Sequence, residues 1–179
     1  MITMNRTLAS RASDPLVDLA KQAIELFATS GQTLETPHPL PPEMARQAGV
    51  FVSIKKNGDL RGCIGTFLAT QDTLAHEIIV NAIQSASADP RFPPIEASEL
   101  SEISISVDIL TRPEPCEQSQ LDPARYGVVV EHGWRRGLLL PDLDGVETVA
   151  DQVAIAKRKA GIRSDEPVRL SRFTVERHA

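Results

Sequence analysis

Apolar positions set the order of elements along this chain. Leu16, Leu19, Ala20, Ala23, Leu26 and Phe27 recur at helical spacing after Asp14-Pro15, a helix start with Asp14 as N-cap, and Gly31 suits the C-terminal cap. Pro37, Pro39, Pro41 and Pro42 make residues 36–42 a stiff extended connector. Val50 to Lys55 and Leu60 to Ile64 then read as strands joined at Asn57-Gly58, a strong short hairpin signal. A second helix is predicted from Asp72 as its cap, with the stripe Ala75, Ile78, Ile79, Ala82, Ile83 and Ala86, stopped by Pro90. Ile103, Ile105, Val107 and Ile109 alternate with Ser104, Ser106 and Asp108, as in an antiparallel strand covered on one side.

The second half repeats the alternation. Tyr126 to Glu131 and Arg136 to Leu140 form a hairpin around His132-Gly133, where Trp134 is expected to close over the sheet end. Val146, Val149, Ala150, Val153 and Ala160 mark a third helix ending at Gly161, with Lys157, Arg158 and Lys159 complementing the dipole of its last turn. Val168 to Val175 reads as one final strand whose apolar phase shifts between Leu170 and Phe173, suggesting a bulge. Hairpins with helices between them give an α+β layered fold of antiparallel sheets and packed helices, not a parallel doubly wound sheet.

Bulk properties narrow the function classes. A chain of 179 residues fits one domain or two small lobes sharing a core. The single domain is expected over residues 14–177, with 1–13 as a flexible N-terminal extension. A net charge of −5 argues against binding nucleic acid by overall attraction, although Arg158, Lys159, Arg163, Arg169, Arg172 and Arg177 make the C-terminal third locally basic. Two distant cysteines and four scattered histidines resemble no zinc site, and no metal or cofactor is implied. No apolar run approaches the roughly 18–20 residues of a membrane span. Residues 1–13 lack the apolar core of a secretory signal, so a cytoplasmic protein with reduced thiols is expected.

The candidate chemistry centres on Leu60-Arg61-Gly62-Cys63-Ile64-Gly65. In a regular strand Arg61 and Cys63 share a face, and a neighbouring cation favours the reactive thiolate. Gly62 and Gly65 leave room for a ligand or a second backbone. The alternative is a small thiol packed in a tight sheet. Asp89 to Pro94 has three prolines in six residues, so it forms a fixed loop on which Arg91 is a candidate anion clamp or an internal salt bridge. The two motifs are expected to lie together, making Arg61, Cys63, Asp89 and Arg91 one cluster with the Phe92 ring buried beneath the loop. His76 lies at the edge of its helix stripe and reads as a surface residue, and Cys116 has no cationic neighbour.

These runs, with Gly137-Leu138-Leu139-Leu140-Pro141, Lys159-Ala160-Gly161 and Arg169 to Val175, resemble the AMMECR family over residues 15–177. Its prokaryotic members are labelled AmmeMemoRadiSam system protein A. The resemblance implies two unequal lobes of AMMECR-like α+β fold and a protein without a settled activity. It further implies an accessory or substrate-presenting partner of a radical-SAM enzyme and a Memo-like protein. A thiol-dependent enzyme with Cys63 as catalytic nucleophile, and Arg61 or Arg91 holding an anion, is the second reading. An RNA-associated factor is the third. The oligomeric state is not legible. Ser106 stands where the family usually has Glu, and Asp142-Leu143 where it commonly has Gln and Val.

Overall fold

The structure, a computed structural model, describes residues 13–179, so all but Ser13 of the expected N-terminal extension lies outside the described residues. Helix α1 (Pro15–Ser30) starts as its sequence dictates: the Asp14 carboxylate accepts from the Leu16 N–H at 2.9 Å, and Gly31 ends the helix at φ 71°. A short α2 (Pro42–Ala45) follows the proline connector. Strands β1 (Gly49–Lys56) and β2 (Asp59–Thr66) are joined through Asn57 and Gly58, whose φ values of 52° and 92° fit the expected tight hairpin turn. Helix α3 (Leu74–Ser87) begins one residue later than expected. The Thr73 hydroxyl, rather than Asp72, caps it by accepting from the His76 N–H at 3.2 Å.

Strand β3 (Ile103–Leu110) pairs with β1 along its whole length. The chain then leaves to build a second lobe from β4 (Glu114–Cys116), β5 (Gly127–His132), β6 (Arg135–Leu139), α4 (Val149–Lys159) and β7 (Arg169–Phe173). It returns with β8 (Val175–His178), which pairs beside β3. The two four-stranded sheets run β2-β1-β3-β8 and β4-β7-β5-β6, with every neighbour antiparallel. The α+β reading therefore holds.

Three apolar clusters fix the layers. Val50, Val52, Ile54 and Val107 of the first sheet pack against Ile24 of α1 and Ile78 and Ile79 of α3. Val128, Val130 and Leu139 of the second sheet pack against Ala156 of α4. Between the sheets, Leu110, Val129 and Phe173 join Phe51, Phe67, Leu138 and Val175. The order is helices, sheet, sheet, helix. The second sheet covers only one end of the first, which explains why β3 departs from its predicted pattern: Ser104 stays exposed, whereas residues 107–110 are buried on both faces.

Two further expectations are corrected. Residues 168–175 do not form one bulged strand. β7 and β8 belong to different sheets, and the phase shift marks the crossing at Thr174. There the Thr174 carbonyl accepts from the Thr111 N–H at 3.0 Å, and its own N–H donates to the Thr111 hydroxyl at 2.9 Å. Trp134 does not close over the sheet; it is 92% exposed at the hairpin tip.

Candidate functional site: the thiol face between the lobes

β2 is an edge strand, and an edge exposes unpaired backbone groups unless something covers it. The Asp89–Pro94 loop covers this one. The Asp89 carboxylate accepts from the Cys63 N–H at 2.9 Å, and the Arg91 guanidinium donates to the Cys63 carbonyl at 3.4 Å. Asp89 and Arg91 are themselves joined by two bonds of 2.9 and 2.7 Å. Asp89 is buried, and these donors, Arg91 foremost, hold its carboxyl far below the usual range. One residue further along the edge, the Ser85 hydroxyl accepts from the Ile64 N–H at 2.8 Å. The two motifs thus lie together, as expected. Phe92 is only half-buried, however, with Arg91 over its ring, and Ile95 is the loop residue that enters the core.

Arg61 is the main correction. Lys55 pairs with Leu60 but Ile54 pairs with Gly62, so the register skips Arg61, which sits at a bulge. A bulge re-aims its side chain, and alternation no longer sets Arg61 beside Cys63. The guanidinium instead binds both Glu99 oxygens, at 3.1 and 2.9 Å, and the carbonyls of Pro93 and Pro94 at 2.8 and 3.3 Å. Arg61 fastens the loop to the strand; its bonds do not reach the sulfur. Gly62 and Gly65 also serve packing: a methyl at Gly62 would strike the Ser85 carbonyl of α3, and one at Gly65 the Phe51 ring.

The bulge also decides what faces Cys63. Ser53 pairs across from Cys63 on one side and from Ser106 on the other. The Ser53 hydroxyl donates to the half-buried sulfur at 3.3 Å. In the next row of the same face, Gly65, Phe51, Asp108 and Arg177 lie in line. Asp108 is 2% exposed and receives the Arg177 guanidinium at 2.8 and 3.0 Å, which raises the pKa of that arginine. The charges of Asp142 and Cys63 also act on Arg177. The face therefore runs from a row that meets the second sheet through Phe51 to a hydroxyl-and-thiol row beside it.

The second lobe adds one group. Of the last-turn cations of α4, Lys157 is buried and donates to the Ser164 and Glu166 carbonyls, both at 2.7 Å, and Arg158 is exposed. Lys159 is the last residue of α4. Its side chain keeps access to solvent, yet lost hydration, the largest influence, pushes its pKa down. Arg91 pushes the same way and Cys63 opposes.

Sequence reasoning brought Cys63, Asp89 and Arg91 together, and read Lys159 as a dipole partner and part of a locally basic stretch. It missed Ser53, Asp108 and Arg177, whose placement follows from register. The basic C-terminal third is not one open stripe: Arg163, Arg172 and Arg177 each meet a carboxylate. His76 is exposed, as expected, and burial raises the pKa of the Cys116 thiol.

A model of the AMMECR1 family matches residues 17–178. The chain belongs to the AMMECR1 family. A Thermotoga maritima protein is 52% identical over 168 residues, spanning 92% of this chain and 97% of that one. A Clostridium acetobutylicum protein is 47% identical over 167 residues, but the match spans only 36% of its length. The crystal structure of the uncharacterized protein PH0010 from Pyrococcus horikoshii superposes with a TM-score of 0.84 at 34% identity, covering 90% of this chain and 88% of that one. No described helix is long and apolar enough to cross a membrane. Within this AMMECR1-family chain, two of the departures noted above fall around the thiol face: Ser106 lies in the row of Cys63, and the charge of Asp142 acts on Arg177. Leu143 packs in the second core.

Proposed function

We propose that the sheet face around Cys63 takes an acidic small molecule and that Cys63 acts on it as a thiolate nucleophile. The observation that carries this reading is the surroundings of the sulfur. It faces a hydroxyl donor at 3.3 Å, and the Arg91 guanidinium reaches the carbonyl of the same residue at 3.4 Å. Thiolate is the nucleophilic form, and nearby cations stabilise it. Arg91, its side chain 53% exposed, is the cation beside the thiol that an anionic substrate meets. In the reacting step the sulfur lone pair attacks an electrophilic carbon of the substrate. A sulfur–carbon bond forms, the leaving group departs with its bonding electrons, and the thiol proton has already passed to a base. The product is tethered to a half-buried sulfur. That arrangement fits a presenting role beside a radical-SAM enzyme and a Memo-like partner as well as turnover by this chain itself.

Competition between two alkylating reagents tests the proposal. The full chain is labelled near neutral pH with iodoacetate or iodoacetamide, and the sites are read by mass spectrometry. Cys63 should react in the folded protein, and its preference for the anionic reagent should exceed that of glutathione several-fold. Cys116 serves as the internal comparison. Labelling of Cys63 only after unfolding, or a glutathione-like preference, overturns the reading.

A further inference from the structure

The Asp89–Pro94 loop holds one guanidinium in a fixed place beside the Cys63 strand. Arg91 Nε and Nη2 donate to the two Asp89 oxygens at 2.9 and 2.7 Å, and Nη2 also reaches the Cys63 carbonyl at 3.4 Å. The Asp89 side chain is only 2% exposed and accepts from the Cys63 N–H at 2.9 Å, so one carboxylate ties the strand to the arginine. The loop is anchored beyond them as well. The Ile95 N–H donates to the Ala86 carbonyl at 2.7 Å, and Arg61 holds the Pro93 and Pro94 carbonyls. The guanidinium carbon stands 5.4 Å over the Phe92 ring. Nη1 is the exception: among the described residues it meets no acceptor, and the side chain is 53% exposed.

We infer that Arg91 and Cys63 together measure the substrate: the site takes a short carboxylic acid whose attacked carbon is the α- or β-carbon, and Asp89 is the positioning residue that aims Arg91. This rests on the nucleophilic reading of Cys63 given above. The span follows from covalent geometry. Within one residue the carbonyl oxygen lies within about 4.5 Å of the cysteine sulfur, so Nη2 and Sγ are at most about 8 Å apart. The free Nη1 is about 2 Å from Nη2 on the same planar group. A hydrogen bond to the carboxylate and the approach of sulfur to carbon each take up about 3 Å of that span. The remainder, about 2–4 Å, is the separation of a carboxylate oxygen from its α- or β-carbon. The charge balance selects the same class. Asp89 offsets the Arg91 charge, so the pair presents an N–H donor to a monoanion and no surplus charge to a phosphate dianion. In the reacting step the thiol proton has gone to solvent and the thiolate lone pair forms the sulfur–carbon bond. The bond to the leaving group breaks with its electron pair on that group, while the carboxylate stays on Arg91.

Full-length protein is alkylated at a single pH with two matched pairs of reagents. One pair is iodoacetate and iodoacetamide; the other is N-iodoacetylglycine and N-iodoacetylglycinamide, in which a glycyl spacer separates the electrophilic carbon from the acid. The acid-to-amide rate ratio at Cys63, read by mass spectrometry and divided by that of glutathione, cancels the thiolate fraction, which both members of a pair share. In the unaltered protein it should be several-fold above one for the short pair and near one for the spaced pair. Arg91→Met should bring both to the glutathione value. Asp89→Asn keeps the Arg91 charge without its aim, so the two pairs should come to a common value. Thermal melts establish that each variant is folded, and the comparison of pairs in the unaltered protein stands without them. Equal ratios above the glutathione value, or an unchanged gap in folded Arg91→Met, overturn the short-acid inference and leave Cys63 a nucleophile for anions. A gap that survives in Asp89→Asn overturns the positioning role of Asp89. A Cys63 inert in the folded protein, or glutathione-like with both pairs, overturns the underlying reading instead.

Discussion

Replacing Glu99 with Gln removes the charge that holds Arg61, and with it the fastening of the Asp89–Pro94 loop to β2. The Glu99 carboxyl has an ordinary value of 4.5 and is held at about 2, chiefly by the Arg61 hydrogen bonds and then by the Glu96 N–H. At about 1.4 kcal/mol per pH unit, that gap corresponds to about 3 kcal/mol. The two side chains are only 13% and 15% exposed, so solvent screening removes part of this but not most of it. Glu99→Gln should therefore lose about 2–3 kcal/mol at neutral pH. The sign with pH follows from a folded pKa below the unfolded one. The stabilisation is complete above 4.5 and disappears as pH falls towards about 2. Urea denaturation of the unaltered protein and the variant at pH 7, 4.5 and 3 gives the difference directly. Taking the difference removes the acid sensitivity that both proteins share. The gap should be widest at pH 7 and narrow steadily below pH 4.5. A loss under about 0.5 kcal/mol, the range of an ordinary surface substitution, would refute the reasoning. So would a loss independent of pH.

Two glycines separate backbone strain from close packing. Gly58→Val places a branched residue at φ 92° with open space around it, so it should destabilise by about 1–2 kcal/mol through backbone conformation alone, read as a lower melting temperature. Gly62→Ala meets no unusual φ but drives a methyl into the Ser85 carbonyl; it should cost about 1–3 kcal/mol and slow hydrogen exchange less at the Ile64 amide, whose acceptor is Ser85.

The elements themselves were legible because local rules fix them. Asp14-Pro15, Asn57-Gly58 and the alternation in β3 each state their structure within a few residues. The site was only half legible. Asp89 and Arg91 could be placed because a proline-locked loop has few conformations, and Cys63 because two glycines flank it. Arg61 could not. Alternation along a strand assumes an unbroken register, and one extra residue in β2 changes which side chains meet. The same slip hid Ser53, which faces Cys63 only because the bulge displaces Gly62. The Val168–Val175 segment failed for a related reason. A phase shift is the same signal whether a strand bulges or crosses to another sheet, and only the partners of Thr174 distinguish the two.

The insertion of the second lobe between β3 and β8 has a consequence for biosynthesis. Val107 finds its partner in His178, and Leu110 in Val175, so β8 leaves the ribosome only after residues 114–173 have been made. Until then β3 carries a bare edge beside β1, the kind of surface that pairs with foreign strands. Domains fold as units during synthesis, and long-range strand closure is slow. Vectorial synthesis therefore makes the second lobe a template. Its β7 delivers Thr174 to Thr111, and from that pair β8 zips along β3. The lobe that lies between two neighbouring strands in sequence is also what brings them together.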